Sequence, residues 1–415
     1  MGVFLRTRFA RYWGKKDDVD FLFNVIKVKG KSVMDPFGGS GSLLFLASKF
    51  GASKTIYVDI NPYAHYLARS LLVKSKTNGV VTFIDSLGSL IPYVKNSRKV
   101  EAEVGEIYPS DPLYWEDDEC YLDRSKRERC SPFEGEPLFW YPTYPLRYAD
   151  GTPFQKRRQV ERVDQFFSKR ALIVLSYLFH KISEIGEDGR VLLISAFLSS
   201  LYQSSLMARA NGGSWPVQCY WIPRKHIERN PLRVFLRKLK IVTNVNSEAP
   251  FEEAKSFDEW DEGKALLIWN DALNVLKGLE EGTVDVIITD PPHFDEIQYL
   301  ELSFLMNSWI CSKECLEKLF EEEIVVNYKR KRRLHDYLRA LENLGGLIRE
   351  KGIRKSVFLL HEEKEEVLES MIDALSRDLK IEKDITIVAS KQRKVGARVK
   401  GVEGRTYKVV VLSGG

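Results

Sequence analysis

Cysteine is scarce in this 415-residue chain. Its five residues, Cys120, Cys130, Cys219, Cys311 and Cys315, are odd in number and scattered. They suggest no disulfide framework, and the expected setting is a reducing cytoplasm. Long apolar runs are missing too: none reaches the ~18–20 residues that span a bilayer, so no membrane association is expected. The segment Met1–Phe23 is basic, but it has neither a continuous apolar core nor a small-residue cleavage site, so no secretory signal is read there. Internal repeats and low-complexity tracts are absent. A large charge of one sign is also absent. The net charge of +5 does not by itself imply a polyanionic partner. The basic residues do, however, bunch at Arg6–Lys16, Arg224–Lys240, Lys329–Arg333 and Lys391–Arg405. Each bunch alone reads as a solvated face, whereas four that converge would favour nucleic acid.

The length is enough for two or three structural units, and 44% apolar with 29% charged residues is ordinary for a globular protein. Residues 31–69 read as strand, glycine turn, helix, strand, turn and helix. Ser32–Met34 is a short strand, Leu43–Phe50 an apolar helix closed by Gly51, and Thr55–Val58 a strand ending at Asp59. This is how a doubly wound sheet begins. Between about 95 and 261 the pattern breaks. Tyr108–Tyr148 is aromatic and proline-rich with little periodicity, Phe166–Ile185 is helical, and Asn230-Pro231 opens a basic amphipathic helix. The α/β pattern then resumes, with strands at Ala265–Trp269, Asp285–Thr289 and Ser356–His361 and helices at Ala272–Leu279 and Glu362–Arg377. Asp384–Ser390 and Thr406–Leu412 are too close for a crossover helix and should form an antiparallel hairpin. The expected fold is therefore α/β: a doubly wound, Rossmann-like sheet with a terminal antiparallel hairpin. It is built from 1–90 and 262–415 and interrupted by a mixed target-recognition lobe at 91–261.

Ligands of open α/β sheets sit beyond the carboxyl ends of the strands. Four polar turns fall there: Asp35–Gly41, Asp59–Pro62, Asn270–Asp271 and Asp290–His293. In Asp35-Pro36-Phe37-Gly38-Gly39-Ser40-Gly41 the glycines allow close backbone approach and positive φ. The spacing departs from G-x-G-x-x-G, which counts against a dinucleotide. Asp59 stands where an acid would take ribose hydroxyls. A plain helix-packing turn is the alternative reading of the glycines. Asp290-Pro291-Pro292-His293 follows an apolar strand, and two consecutive prolines cannot serve as ladder residues. They fix the backbone, so a carboxylate and a carbonyl can both accept from one –NH2 group. An amino nitrogen conjugated to a ring is a poor nucleophile. Holding both of its N–H bonds favours a pyramidal nitrogen aimed at a methyl sulfonium. A flat residue at His293 or Phe294 could stack on the base.

Asp35–Gly41 resembles the D-P-F-x-G-x-G motif, and Asp290–His293 the D-P-P-Y motif, of amino-methyltransferases that make N6-methyladenine or N4-methylcytosine. Ala10–Lys16, with Tyr12 and Trp13, looks like the family's segment that closes over the methionine end of the donor. Asn270-Asp271-Ala272 resembles the stretch whose acid contacts the donor's adenine. Phe294–Leu302 and Phe167–Arg170 resemble a subgroup labelled adenine-specific DNA methylases with a long central insertion. The resemblance implies S-adenosyl-L-methionine as cofactor. It implies donor contacts from Tyr12, Trp13, Asp35, Phe37, Gly39, Gly41, Asp59, Asn61, Asn270 and Asp271, and catalysis by Asp290, Pro291, Pro292 and His293. Two departures stand out. His293 replaces tyrosine, which reduces aromatic area and adds a titratable ring. Cys120 and Cys130 lack C-x-x-C partners, so no structural zinc or other metal is expected. Cys311 and Cys315, one helical turn apart in an apolar stretch, read as core.

The expected activity is N-methylation of an exocyclic amino group, cytosine N4 or adenine N6, in nucleic acid. Structured RNA such as ribosomal RNA is preferred over DNA because no discrete sequence-reading module appears and the Tyr, Trp and Arg content of the insertion suits a splayed-out base on a folded backbone. Phe294, Lys329, Arg330, Lys331, Arg332, Arg333, Lys391, Arg393, Lys394 and Arg398 are the expected nucleic-acid contacts, and the protein is expected to be a monomer. A nicotinamide oxidoreductase and an inactive binding or assembly protein are the competing classes. Asp-Pro-Pro argues against the first, and the filled polar positions argue against the second.

Overall fold

A computed structural model describes residues 19–131, 133–154, 160–209, 220–293, 297–362, 364–395 and 398–414, with backbone alone for 387–395 and 398–407. Tyr12, Trp13, Cys219 and Phe294 lie outside the described residues, as do the side chains of Lys391, Arg393, Lys394 and Arg398.

The chain forms two compact units. The first contains 19–73, Pro250–Gln298 and 322–414 and holds one eight-stranded sheet. Its strands are β1 (Ser32–Asp35), β2 (Lys54–Asp59), β3 (Glu252–Ala254), β4 (Lys264–Trp269), β5 (Val286–Thr289), β6 (Lys355–Leu360), β7 (Lys380–Val395) and β8 (Arg398–Ser413). Their order is β3-β4-β2-β1-β5-β6-β8-β7. β3 to β6 along this order are parallel, while β8 runs antiparallel to both β6 and β7. This is the doubly wound, Rossmann-like α/β sheet with its terminal hairpin. The central strands β1 and β5 are buried at every residue, as strands covered on both faces must be.

Helices α1 (Ser42–Lys49), α2 (Pro62–Leu72), α3 (Ala272–Gly278), α4 (Leu334–Glu350) and α5 (Glu365–Ser376) belong to the same unit. One core packs Met34, Ile56, Ile287, Phe358 and Val410 of the sheet against Leu276 of α3, Leu341 and Leu344 of α4, and Met371 and Leu375 of α5. The glycine turn has structural reasons of its own. A Cβ at Gly38 would lie 2.3 Å from the Tyr57 ring, and one at Gly41, where φ is +80°, would lie 3.1 Å from Ala68 of α2. β3 was not visible in the sequence pattern, because three residues are too few to show alternation. The hairpin strands run well past 384–390 and 406–412. Their pairing continues through bulges at Ile381/Lys383 and Gln392/Lys394 to Val395 opposite Arg398. Lys408 already pairs with Leu360, the last residue of β6, so the ribbon continues beyond the carboxyl edge of the sheet.

The second unit comprises Lys74–Ala249 and Tyr299–Glu321. Its main segment begins after Val73 and ends at Ala249. The helix Asn78–Ser86 packs on Glu187–Ser204, where a Cβ at Gly79 would meet the Asp188 carbonyl at 1.8 Å. Helices Lys169–Ser183, Glu187–Ser204 and Pro231–Asn246 carry its core, with Ser168 and Asn230 as N-caps. The region that lacked periodicity contributes strands to two small antiparallel sheets. One has strands Leu90–Lys95, Arg98–Glu103 and Glu136–Pro137. The other has strands Leu113–Glu116, Glu119–Asp123, Glu128–Arg129 and Lys225–Glu228. Cys120 and Cys130 are joined by a disulfide across one of these hairpins. The sequence suggests no disulfide framework, but the turn at 124–127 folds the two back onto paired strands, which spacing alone does not reveal. Cys311 is buried and Cys315 half-buried. No helix among the described residues is long and apolar enough to cross a membrane.

Candidate active site

From β1 the chain passes to β2, goes on to the edge strand β3, steps back to β4 between them, and then crosses to the other side of β1 at β5. Ligands of such sheets bind at this reversal, beyond the carboxyl ends. Asp35 ends β1 and Asp290 follows β5, so the two motifs, more than 250 positions apart in the chain, stand on neighbouring strands. Thr289 ties them together, its hydroxyl donating to Asp35 Oδ1 at 2.6 Å, while the Phe37 amide donates to the same oxygen at 3.1 Å. Burial pushes the Asp35 carboxyl up to about 8, against the pull of both hydrogen bonds, with Asp290 and Asp59 adding like charge.

Beyond β1, the turn leads into α1, whose N-cap Gly41 offers no side-chain cap, so the first-turn amides keep their capacity to meet an anion. Asp59 closes β2 with its carboxylate held at both oxygens. Oδ2 accepts from the Gly39 amide at 2.7 Å and Oδ1 from the Asn61 amide at 2.8 Å. Each oxygen retains a lone pair for a further donor. Burial raises this acid to about 6 despite those bonds. Asn61 is buried and caps α2 through Tyr63, so its side chain serves the helix. Asp271 is half-buried and caps α3 through Asn274 at 2.9 Å, and burial raises its carboxyl. Asn270 is exposed and accepts from the next amide.

Sequence reasoning passed over Trp269. It ends β4 in register with Asp59, its Nε1 donates to the Ile60 carbonyl at 2.8 Å, and the ring is still 46% exposed. A tryptophan pinned at its edge with an open face, beside an acid with spare acceptors, suits a flat heterocycle joined to a sugar. Together with the uncapped α1 terminus, these residues fit the parts of S-adenosyl-L-methionine: its adenine, its ribose and its carboxylate.

Around the second motif, Pro291 is buried, and the Pro292 carbonyl accepts from the Tyr337 hydroxyl of α4 at 2.7 Å. His293 is only 5% exposed. Its Nε2 stands 3.9 Å from Asp290 Oδ2, and its ring is T-shaped to His361 with centroids 5.8 Å apart. A ring enclosed in this way offers no open face to a base, so the stacking role expected of His293 does not fit this arrangement. His361 and Glu362 directly follow β6, and both are buried. Glu362 Oε1 accepts from the Lys364 amide, whereas its buried Oε2 has no hydrogen-bond partner among the described residues. The Tyr337 hydroxyl is held protonated by burial and by the charges of Asp290 and Glu362. Tyr337, His361 and Glu362 were not singled out from the sequence. The available signal was a polar pair directly after an aliphatic strand.

The basic run 329–333 is not uniform. Arg330 is enclosed in an ion pair with Glu323, their side chains 5% and 6% exposed, so it cannot meet a phosphate as expected. Desolvation favours a fixed carboxylate partner for a guanidinium at this depth. Lys329, Lys331 and Arg333 are exposed, and Arg332 is half-buried.

No family model matches the chain. Over 86 residues it is 35% identical to a protein of Methanocaldococcus jannaschii named "Putative protein N5-glutamine methyltransferase". The shared stretch is 20% of this chain and 42% of that relative's length.

Proposed function

We propose that this protein is an S-adenosyl-L-methionine-dependent methyltransferase whose acceptor is a planar –NH2 nitrogen, conjugated to a ring or a carbonyl. The observation that carries the reading is the convergence of Asp35, Asp59 and Asp290 at the strand-order reversal, with Thr289 tying Asp35 to the strand that precedes Asp290. The match to part of a named methyltransferase supports the same class. When bound, the donor supplies an electrophilic methyl group on a sulfonium. The chain's residues do the rest. Asp59 accepts from the ribose hydroxyls, Trp269 stacks on the adenine, and the Phe37–Gly41 backbone with the α1 terminus holds the amino-acid end. Asp271, already a helix cap, keeps acceptor capacity for the adenine amino group. Asp290 accepts one N–H of the target. The carbonyl assigned to the second N–H is that of Pro291, since the Pro292 carbonyl already accepts from Tyr337 and keeps one lone pair at most. Both bonds tighten as the nitrogen pyramidalises, which makes them transition-state interactions.

Within that class the acceptor we favour is the exocyclic amino group of a nucleic-acid base, cytosine N4 or adenine N6, with RNA preferred to DNA. The support is the β7–β8 ribbon, which extends beyond the carboxyl edge with Lys391, Arg393, Lys394 and Arg398 in its sequence, and the exposed Lys329, Lys331 and Arg333. The second reading is methylation of a protein glutamine amide, favoured by the name of the matched relative. One experiment separates them. Purified protein with tritiated donor is offered total RNA, genomic DNA and cell protein, and the labelled product is digested and identified by mass spectrometry. Label in nucleosides supports the first reading, label in N5-methylglutamine supports the second, and label in neither overturns both.

A further inference from the structure

The motif residue that departs from the D-P-P-Y pattern is the one the structure encloses. His293 meets Asp290 on its own loop, with Nε2 3.9 Å from Oδ2. From the neighbouring strand it meets His361, ring to ring. Tyr337 of α4 lies on the Pro292 carbonyl beside it. Glu362 adds a buried carboxylate oxygen with no hydrogen-bond partner among the described residues. Asp35, held by Thr289, is the next acid along the sheet edge. A buried carboxylate oxygen without a donor is costly unless a proton or a cation is close at hand. Two imidazoles and two carboxylates collected at the ends of adjacent strands form such a store.

Resting on the methyl-transfer reading above, we propose that His293, supported by His361 and Glu362, takes up the proton that leaves the target nitrogen through Asp290. When the nitrogen lone pair forms the N–CH3 bond, the donor's S–CH3 bond breaks and its sulfur recovers the electron pair. The nitrogen then carries a positive charge and must lose one proton. The N–H bond breaks towards Asp290 Oδ2, and the proton passes on to His293 Nε2, leaving Asp290 a carboxylate again. The new imidazolium is balanced by Asp290 and Glu362 and gives its proton to solvent on product release. The 3.9 Å gap closes to hydrogen-bond length when substrate is seated, as catalytic hydrogen bonds commonly do. Tyrosine at this position could stack, but with its proton held to high pH it could not store another. His293 is thus a positioning and proton-holding residue that acts through Asp290.

The first test needs neither donor nor substrate. The chain has six histidines, and nitrogen-15 NMR of their imidazoles can be assigned by comparison with His293→Gln. The His293 titration should move to lower pH by about one unit or more in Asp290→Asn, a tenfold loss of proton affinity, and in the same direction in Glu362→Gln. A titration that stays put in both variants overturns the proposal. The second test is single-turnover transfer of tritiated methyl to total RNA across pH 5.5–9. His293→Tyr should keep donor affinity within about twofold, lose at least tenfold in rate and flatten the acid limb of the pH profile. A tyrosine variant with wild-type rate and profile overturns the proposal and makes the ring a packing element. If wild-type protein methylates DNA and not RNA, the same profile is read on genomic DNA; if it methylates neither, the base-directed reading fails by itself, and the titration still decides whether His293 is coupled to Asp290 and Glu362.

Discussion

The hydroxyl of Thr289 donates to Asp35 Oδ1 at 2.6 Å, joining the last residue of β5 to the last of β1 at the reversal of strand order. This bond holds in register two motifs that meet only in the folded chain. The Asp35 carboxyl ordinarily ionises near 3.8 and is raised to about 8 by burial. Between those values the unfolded chain binds fewer protons than the folded one, so this group's contribution to stability is full below pH 4 and lost as pH rises to 8. Asp35→Asn should therefore gain on wild type by more than ~1.4 kcal/mol between pH 4 and pH 8. Urea denaturation at the two pH values checks it, and a constant difference would refute the buried, protonated state. Thr289→Val should cost ~1–2 kcal/mol at pH 4 for the missing buried donor, and more above pH 8, because the bond favours the ionised carboxyl.

Asp59 makes donor binding depend on pH in the opposite sense. Its carboxyl sits at about 6, and only the ionised form accepts two hydroxyls fully. Affinity for S-adenosyl-L-methionine should weaken as pH falls through 6, and Asp59→Ala should lose tenfold or more at pH 8, on the order of 1.4 kcal/mol. Calorimetry at pH 5, 6 and 8 measures both. A pH-independent affinity in the wild type would mean that this acid does not touch the donor.

Trp269 is the residue to change if the adenine site is as described. Its ring is 46% exposed while its Nε1 is fixed on Ile60. Trp269→Ala should weaken donor binding by about fivefold to tenfold, on the scale of one stacked aromatic pair, whereas Trp269→Phe should keep most of it. Equal affinities in all three proteins would place the adenine elsewhere.

Much of this arrangement was legible in the sequence, for reasons that can be stated. Ser32–Asp35, Lys54–Asp59 and Lys264–Trp269 are short apolar runs bounded by turn residues, and such runs carry a strong strand signal. The two motifs announced the crevice because glycines and tandem prolines have few other uses at strand ends. What remained hidden depends on tertiary neighbours. Gly38 looks like a ligand turn but is also demanded by the Tyr57 ring. His293 looks like a stacking platform but is enclosed by His361, which arrives from 68 positions further along the chain (361 − 293). Arg330 looks like one of five surface cations but is the one that folds inward onto Glu323.

That inward pair separates two effects within a single basic run. Removing one member of a buried ion pair strands the other, so Glu323→Ala should destabilise the protein by ~3–5 kcal/mol, and Arg330→Ala by a similar amount. Thermal unfolding reads this directly. Neutralising Lys329, Lys331 and Arg333 to Gln should leave stability nearly unchanged, because all three side chains are exposed. If they meet phosphates of a single strand, each phosphate left without its cation should flatten the salt dependence of RNA binding by ~0.7 log unit per decade of salt. Donor affinity should not move in this triple variant. Filter binding of total RNA at several salt concentrations makes the measurement. A triple variant with the wild-type slope would show these three cations to be solvated surface, and the phosphate track would then fall to the β7–β8 ribbon alone.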